Sequence, residues 1–123
     1  MVMKRLIVFV MLFVLTAPAS AFDKWDKPDI ALATASLAVH AMDWRQTRHI
    51  AENPDKYYET NPVLGNHPSK GEVDVYFATT ALAQIAIAHC LPSVYRKSWL
   101  GVMIGIGGAS IYENCRIGIG MRW

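Results

Sequence analysis

Residues 75–91 run seventeen positions without a formal charge, counting His89 as neutral, and the stretch is apolar on nearly all sides. A helix with no polar face has to be buried in protein or set against lipid. The whole chain has 123 residues, 53% of them hydrophobic and 18% charged, enough for one small domain with little polar surface to solvate it. A disordered tail is excluded by the same numbers.

Two other stretches resemble 75–91. Segment 28–50 concentrates its apolar residues in 30–42, and segment 94–115 contains an uncharged run over 99–112. Ser69-Lys-Gly-Glu72 reads as a capping box in front of the second segment, Pro92 stops it, and Ser93 is the expected N-cap of the third. No strand-like alternation of any length occurs. The expected fold is all-α, with helices at about 28–50, 72–91 and 94–115, a long loop at 51–71 and a tight hairpin between the last two helices.

The N-terminus carries Lys4 and Arg5, an unbroken apolar run over 6–15, and a small-residue stretch ending Ala19-Ser20-Ala21. Those are the three parts of a bacterial secretory signal, with cleavage expected after Ala21 and a mature helical domain of 22–123. Left uncleaved, the run would add a fourth hydrophobic segment. The net charge is +2, and loss of Lys4 and Arg5 leaves ten basic against ten acidic residues. A nucleic-acid partner is not expected from such a balance.

A bilayer usually needs about 20 apolar residues, and the uncharged cores here are about 13 to 17 long. Three features favour a membrane nonetheless. The first is the charge-free 75–91. The second is aromatic placement: Trp25, Trp44, Trp99 and Trp123 fall at segment edges, with Tyr76, Tyr95 and Tyr112 near ends. The third is Gly101-x-x-x-Gly105-x-x-x-Ala109, whose small residues allow helices to approach closely in lipid, with Ala31, Ala35 and Ala38 as a matching face. Charge topology agrees weakly, with six basic residues on the inner side against four outside. A three-helix transmembrane bundle in the bacterial inner membrane is the resulting expectation, and a periplasmic or secreted soluble domain is the alternative.

Helical spacing decides which polar residues meet. Ser36, His40, Asp43 and Thr47 share one face, and Glu113 and Arg116 reach the same end of the bundle. His40, Asp43 and Glu113 are therefore candidates for a metal or proton site. The structural alternative, which is the stronger, pairs Asp43 with Arg116 or Arg45 and Glu113 with Arg116, and leaves His40 as a buried hydrogen-bonding residue. No zinc-helix motif, Cys-x-x-Cys, phosphate loop or nucleophile elbow is present, so no catalytic residue and no cofactor is expected. Cys90 sits at the turn between the second and third helices and Cys115 about 21 residues along the third, roughly 30 Å away and too far for a bridge.

Asp43-Trp-Arg-Gln-Thr47 followed by Glu59-Thr-Asn-Pro62 resembles the D-x-x-x-T … E-x-N-P pattern of uncharacterised small bacterial and phage-borne helical membrane proteins. The resemblance covers about residues 30–92. It implies a small helical membrane protein with Asp43, Thr47, Glu59, Asn61 and Pro62 as shared positions, and it implies no activity. Asp43 and Thr47 lie on one face at the helix exit, where a loop carboxylate or the Asn61 amide can fasten the loop to the bundle.

The leading functional expectation is a non-enzymatic small inner-membrane protein with an interaction or envelope-associated role. Its expected partners are the lipid bilayer and, through Gly101, Gly105 and Ala109, a second copy or a larger membrane protein. A membrane enzyme or ion carrier using His40, Asp43 and Glu113, and a secreted helical binding module, are the alternatives.

Overall fold

The computed structural model describes Arg5 and residues 23–120. Apart from Arg5, the expected targeting segment 1–21 lies outside the described residues, as does Trp123. Three helices follow: α1 Lys27–Glu52, α2 Lys70–Cys90 and α3 Ser93–Arg116. They run up, down and up, so α1 and α3 are parallel with α2 antiparallel to both, and α1 shares its largest interface with α3. No strand occurs among the described residues.

The helix ends follow local chemistry. Asp26 caps α1 by accepting the Asp29 amide at 2.8 Å, and Asp29 returns the bond by accepting the Asp26 amide at 3.1 Å. This is a capping box built from two aspartates, with Pro28 in the first turn where its missing N–H costs nothing. Ser69 and Glu72 cap α2 reciprocally, as expected from their spacing. Ser93 is instead the first residue of α3, behind Pro92, which has no polar side chain to cap with, and the Ser93 amide donates to the Asp23 carboxylate at 2.9 Å. Gly118, at φ 92°, ends α3: its amide and that of Ile119 bond back to the Cys115 and Asn114 carbonyls at 3.1 Å each. The pattern is a Schellman turn, which needs a left-handed residue and so favours glycine. It folds the buried Ile119 back onto the bundle.

The interior is sparsely apolar. Ala33, Ala88 and Leu100 form its centre, with Trp25, Leu32, Ile85 and Trp99 against them. Polar side chains fill much of the rest: Ser36 donates to Gln84 at 2.8 Å across α1 and α2, and the Gln84 amide nitrogen is the one buried side-chain nitrogen or oxygen without a partner among the described residues. The outer surface is the reverse. Ile30, Leu37, Val75, Leu82, Val102 and Ile106 point outward, Leu82 with 74% of its surface exposed. Between Asp29 and Asp43, between Asp74 and His89, and between Lys97 and Glu113 there is no charged residue. These spans, 30–42, 75–88 and 98–112, form a belt roughly 20 Å high at 1.5 Å per residue.

By length and composition one described helix, α2, is apolar enough to cross a membrane. The finding is thus a three-helix bundle with a single candidate span. The small faces expected to meet do not: Ala31, Ala35 and Ala38 are exposed, and a Cβ added at Gly101 or Gly105 would touch nothing within 4 Å. Ala109 is likewise exposed. The close approach of α1 and α3 occurs at Gly107, where a Cβ would stand 2.5 Å from Val39 Cγ1. Cys90 and Cys115 are both free.

Candidate functional site

At the α1 C-terminal end, the loop between α1 and α2 folds over the helices and encloses an open pocket of about 560 Å3. Glu59 organises the loop. Its Oε1 accepts the amides of Thr60 and Asn61 at 2.8 Å each, and its own amide donates to the Asn66 carbonyl at 2.8 Å. Asn61 then makes an Asx turn, its Oδ1 accepting the Val63 amide at 2.9 Å. Its Nδ2 donates to the Tyr76 hydroxyl of α2 at 2.9 Å, which fastens the loop to the bundle. Gly65, at φ 77°, completes the turn.

Asp43 and Thr47 of α1 face this loop, and Glu113 and Asn114 of α3 close the other side. All five positions of the pattern singled out in the sequence, Asp43, Thr47, Glu59, Asn61 and Pro62, line this one pocket. The Thr47 hydroxyl donates to Asp43 Oδ1 at 3.4 Å, and the Asn114 amide approaches the same oxygen at 3.5 Å. Burial, and then the nearby Glu59 carboxylate, push the Asp43 carboxyl up to about 7, against a smaller opposing effect of the Thr47 hydrogen bond.

His40 does not join this group. Its Nε2 lies 2.9 Å from the Phe77 carbonyl and 3.1 Å from the Thr80 hydroxyl, on the α2 side of α1. A step of three residues rotates about 300° around a helix, so His40 and Asp43 are neighbours that address different elements. Among the described residues no group of three His, Cys, Asp or Glu side chains is placed to hold a metal ion. The metal or proton site expected from His40, Asp43 and Glu113 is not assembled, and His40 takes its expected structural role. Arg116 pairs with Glu113 at 3.1 Å, as anticipated, but neither Arg116 nor Arg45 makes an ion pair with Asp43. Arg48 is held elsewhere, donating to both oxygens of Asp74 at 2.8 and 2.6 Å beside the Trp44 indole.

The opposite end contains a network that sequence reasoning missed. Arg96, fully buried, donates to Asp29 Oδ2 at 2.8 Å and to four main-chain carbonyls, those of Asp23, Lys24, Ala88 and Leu91. Its guanidinium carbon lies 4.9 Å from the centre of the Trp25 ring. Lys97 bridges Asp26 and Asp29 at 2.9 Å each. Burial alone would raise the Asp29 carboxyl, but hydrogen bonds from Lys97, the Asp26 amide and Arg96 hold it down at about 2. The sequence offers one signal, Asp26-x-x-Asp29 around the single Pro28 at a helix start, while Arg96 and Lys97 stand only as charges beside a segment end.

Comparison with known proteins finds no matching family, no similar curated protein and no similar solved structure.

Proposed function

We propose that this chain is a small integral protein of the bacterial inner membrane, delivered by Sec-type export and acting through contacts with other membrane components, not through catalysis. The observation that carries the reading is the inverted polarity of the bundle's midsection. Ser36 and Gln84 are buried while Ile30, Leu37, Val75, Leu82, Val102 and Ile106 face outward. In water an apolar surface of this continuity is costly, and in lipid it is the ordinary arrangement, with polar groups turned toward the bundle interior.

Both ends of the belt support the same reading. One is closed by the Arg96, Asp29 and Lys97 network, the other by Arg48, Asp74 and Lys70 with the polar pocket beside them. A belt of roughly 20 Å is shorter than a typical hydrocarbon core, a mismatch that local thinning of the bilayer accommodates. Gly101 and Gly105, where an added Cβ would meet nothing within 4 Å, and the exposed Ala109 leave α3 a small-residue face for a second copy or a membrane partner. The enzyme or ion-carrier alternative loses the His40 member of its triad, as described above.

Fractionation of the expressed full chain tests the proposal. The protein is expected in the membrane pellet after alkaline carbonate washing. Release of the mature chain by osmotic shock would establish a soluble periplasmic domain in its place.

A further inference from the structure

Between α1 and α2, beside His40, the helices leave an open groove of about 410 Å3. Leu37, Ala41 and Trp44 of α1 and Phe77, Ala78 and Ala81 of α2 make its walls. Positions 37, 41 and 44 follow the helical period, as do 74, 78 and 81, so small alanines hold a slot open between larger side chains. The polar groups at its mouth are engaged with one another: Asp74 accepts from the Trp44 indole and from Arg48.

His40 stands in the groove wall with a fixed tautomer. The Phe77 carbonyl can only accept, so the Nε2 that lies 2.9 Å from it carries the ring proton. The Thr80 hydroxyl gives its hydrogen to the Tyr76 carbonyl at 2.8 Å and presents a lone pair to the same N–H at 3.1 Å. Among the described residues no carboxylate makes an ion pair with the ring. A neutral imidazole protonated at Nε2 has a bare lone pair at Nδ1, and no described residue donates to it. Nor is that nitrogen sealed inside the bundle, because the one buried side-chain nitrogen or oxygen without a partner belongs to Gln84. A strong acceptor therefore opens at the surface within the charge-free belt of 30–42 and 75–88, where lipid offers it no hydrogen-bond donor.

We infer that this groove binds an apolar hydroxyaromatic molecule, a phenol carrying an alkyl chain, which enters from the bilayer and donates its hydroxyl to His40 Nδ1. The volume lies within the range of small-molecule sites, and an apolar cleft with one oriented polar group is their usual composition. A phenol fits both halves of the site. Its O–H is a stronger donor than an aliphatic hydroxyl, its ring has Phe77 and Trp44 to pack against, and its single donor suits a groove whose other polar groups are already paired. A phospholipid tail would fill the slot but leave Nδ1 without a donor. Entry from the bilayer rests on the membrane reading above, whereas the slot and the unpartnered acceptor do not.

The test is titration of the full chain in mild detergent with 4-butylphenol and with 4-butylanisole, which has nearly the same shape but no donor. Nitrogen-15 signals of histidine-labelled protein report it, since His40 Nδ1 responds to an arriving hydrogen bond and the other three histidines serve as internal references. The phenol is expected to bind about tenfold more tightly than the anisole, the fold-change that one net hydrogen bond supplies. His40→Phe should erase the difference between the two probes, read on the Trp44 indole signal. His40 also ties α1 to Phe77, so Ala78→Phe serves as a second variant: it fills the slot, leaves the imidazole and its bonds in place, and should block both probes. Equal affinity for phenol and anisole in the wild type, or a His40 signal that neither probe moves, would overturn the inference, and so would unchanged binding by Ala78→Phe. The two readings fail separately. A chain released by osmotic shock that still prefers the phenol keeps the site and loses the bilayer as its source; a carbonate-resistant chain without that preference keeps the membrane and loses the site.

Discussion

Arg96 of α3 reaches Asp29 of α1 at 2.8 Å, and both side chains are completely excluded from solvent. The pair joins the starts of two parallel helices, and four carbonyls complete the guanidinium's hydrogen bonding. A buried ion pair stabilises little in itself, but removing one partner strands the other charge. Arg96→Met should therefore lower stability by about 3–5 kcal/mol, read as a loss of thermal unfolding temperature in mild detergent. Arg96→Lys should recover only part of that loss, since an ammonium has three donors where the site uses five contacts.

Asp43 gives the bundle a pH dependence of definite sign. Its carboxyl titrates near 7 in the fold against an ordinary value of 3.8, so between those values the folded chain holds a proton that the unfolded chain has lost. Stability falls as pH rises through this window. Glu59 from the loop and Glu113 from α3 face the same pocket, so no basic group there reverses the trend. Relative to Asp43→Asn, which shares every other titrating group, the wild type should lose on the order of 2–4 kcal/mol between pH 5 and pH 8, at about 1.4 kcal/mol per unit. Asp43→Asn should flatten the profile and exceed the wild type at pH 8. Unfolding temperatures of both chains across pH 5–8 check this.

The glycines of α3 divide into two kinds. Gly107→Ala drives a methyl into the stiff, branched Val39 side chain and should cost about 1–3 kcal/mol. Gly101→Ala and Gly105→Ala meet open space and should raise helix stability by up to about 1 kcal/mol each. If their face binds a second copy, Gly101→Leu and Gly105→Leu should abolish the crosslinked dimer in membranes while leaving the unfolding temperature nearly unchanged.

The two thiols should differ sharply in reactivity. Cys115 is exposed and Cys90 is buried. A maleimide reagent is expected to label one thiol per folded chain within minutes and the second only after denaturation. Two thiols labelled at equal rates in the folded state would contradict the packing of Cys90 at the end of α2.

The helices were legible because their signals are local. Ser69 with Glu72, and Pro92, fixed the boundaries of α2 by capping chemistry and by a missing amide. Helix faces were harder to read. Gly101 and Gly105 carry the spacing of a packed interface, yet the contact with α1 is made by Gly107, because the rotation of α3 is set by Arg96 and Leu100 and not by the glycine pattern. Asp43, Thr47, Glu59, Asn61 and Pro62 were legible as a group, and they line a single pocket. What the sequence could not reveal was that His40 turns away toward Phe77, or that Glu59 bonds its own loop amides. Both depend on loop and rotamer geometry with no sequence period. Nothing in the sequence marks Arg96 as buried, because its partners, the carbonyls of residues 23 and 24 and the Asp29 carboxylate, are more than sixty positions away.

The membrane proposal turns on what surrounds the charge-free belt, and site-directed spin labelling in reconstituted vesicles measures that directly. Labels introduced singly at Leu37, Leu82 and Val102 in a Cys115→Ser background should be accessible to oxygen and shielded from a water-soluble nickel complex. Labels at Lys24 and Arg45, on either side of the belt, should show the opposite. Free access of the nickel complex to positions 37, 82 and 102 would mean that water and not lipid covers the belt.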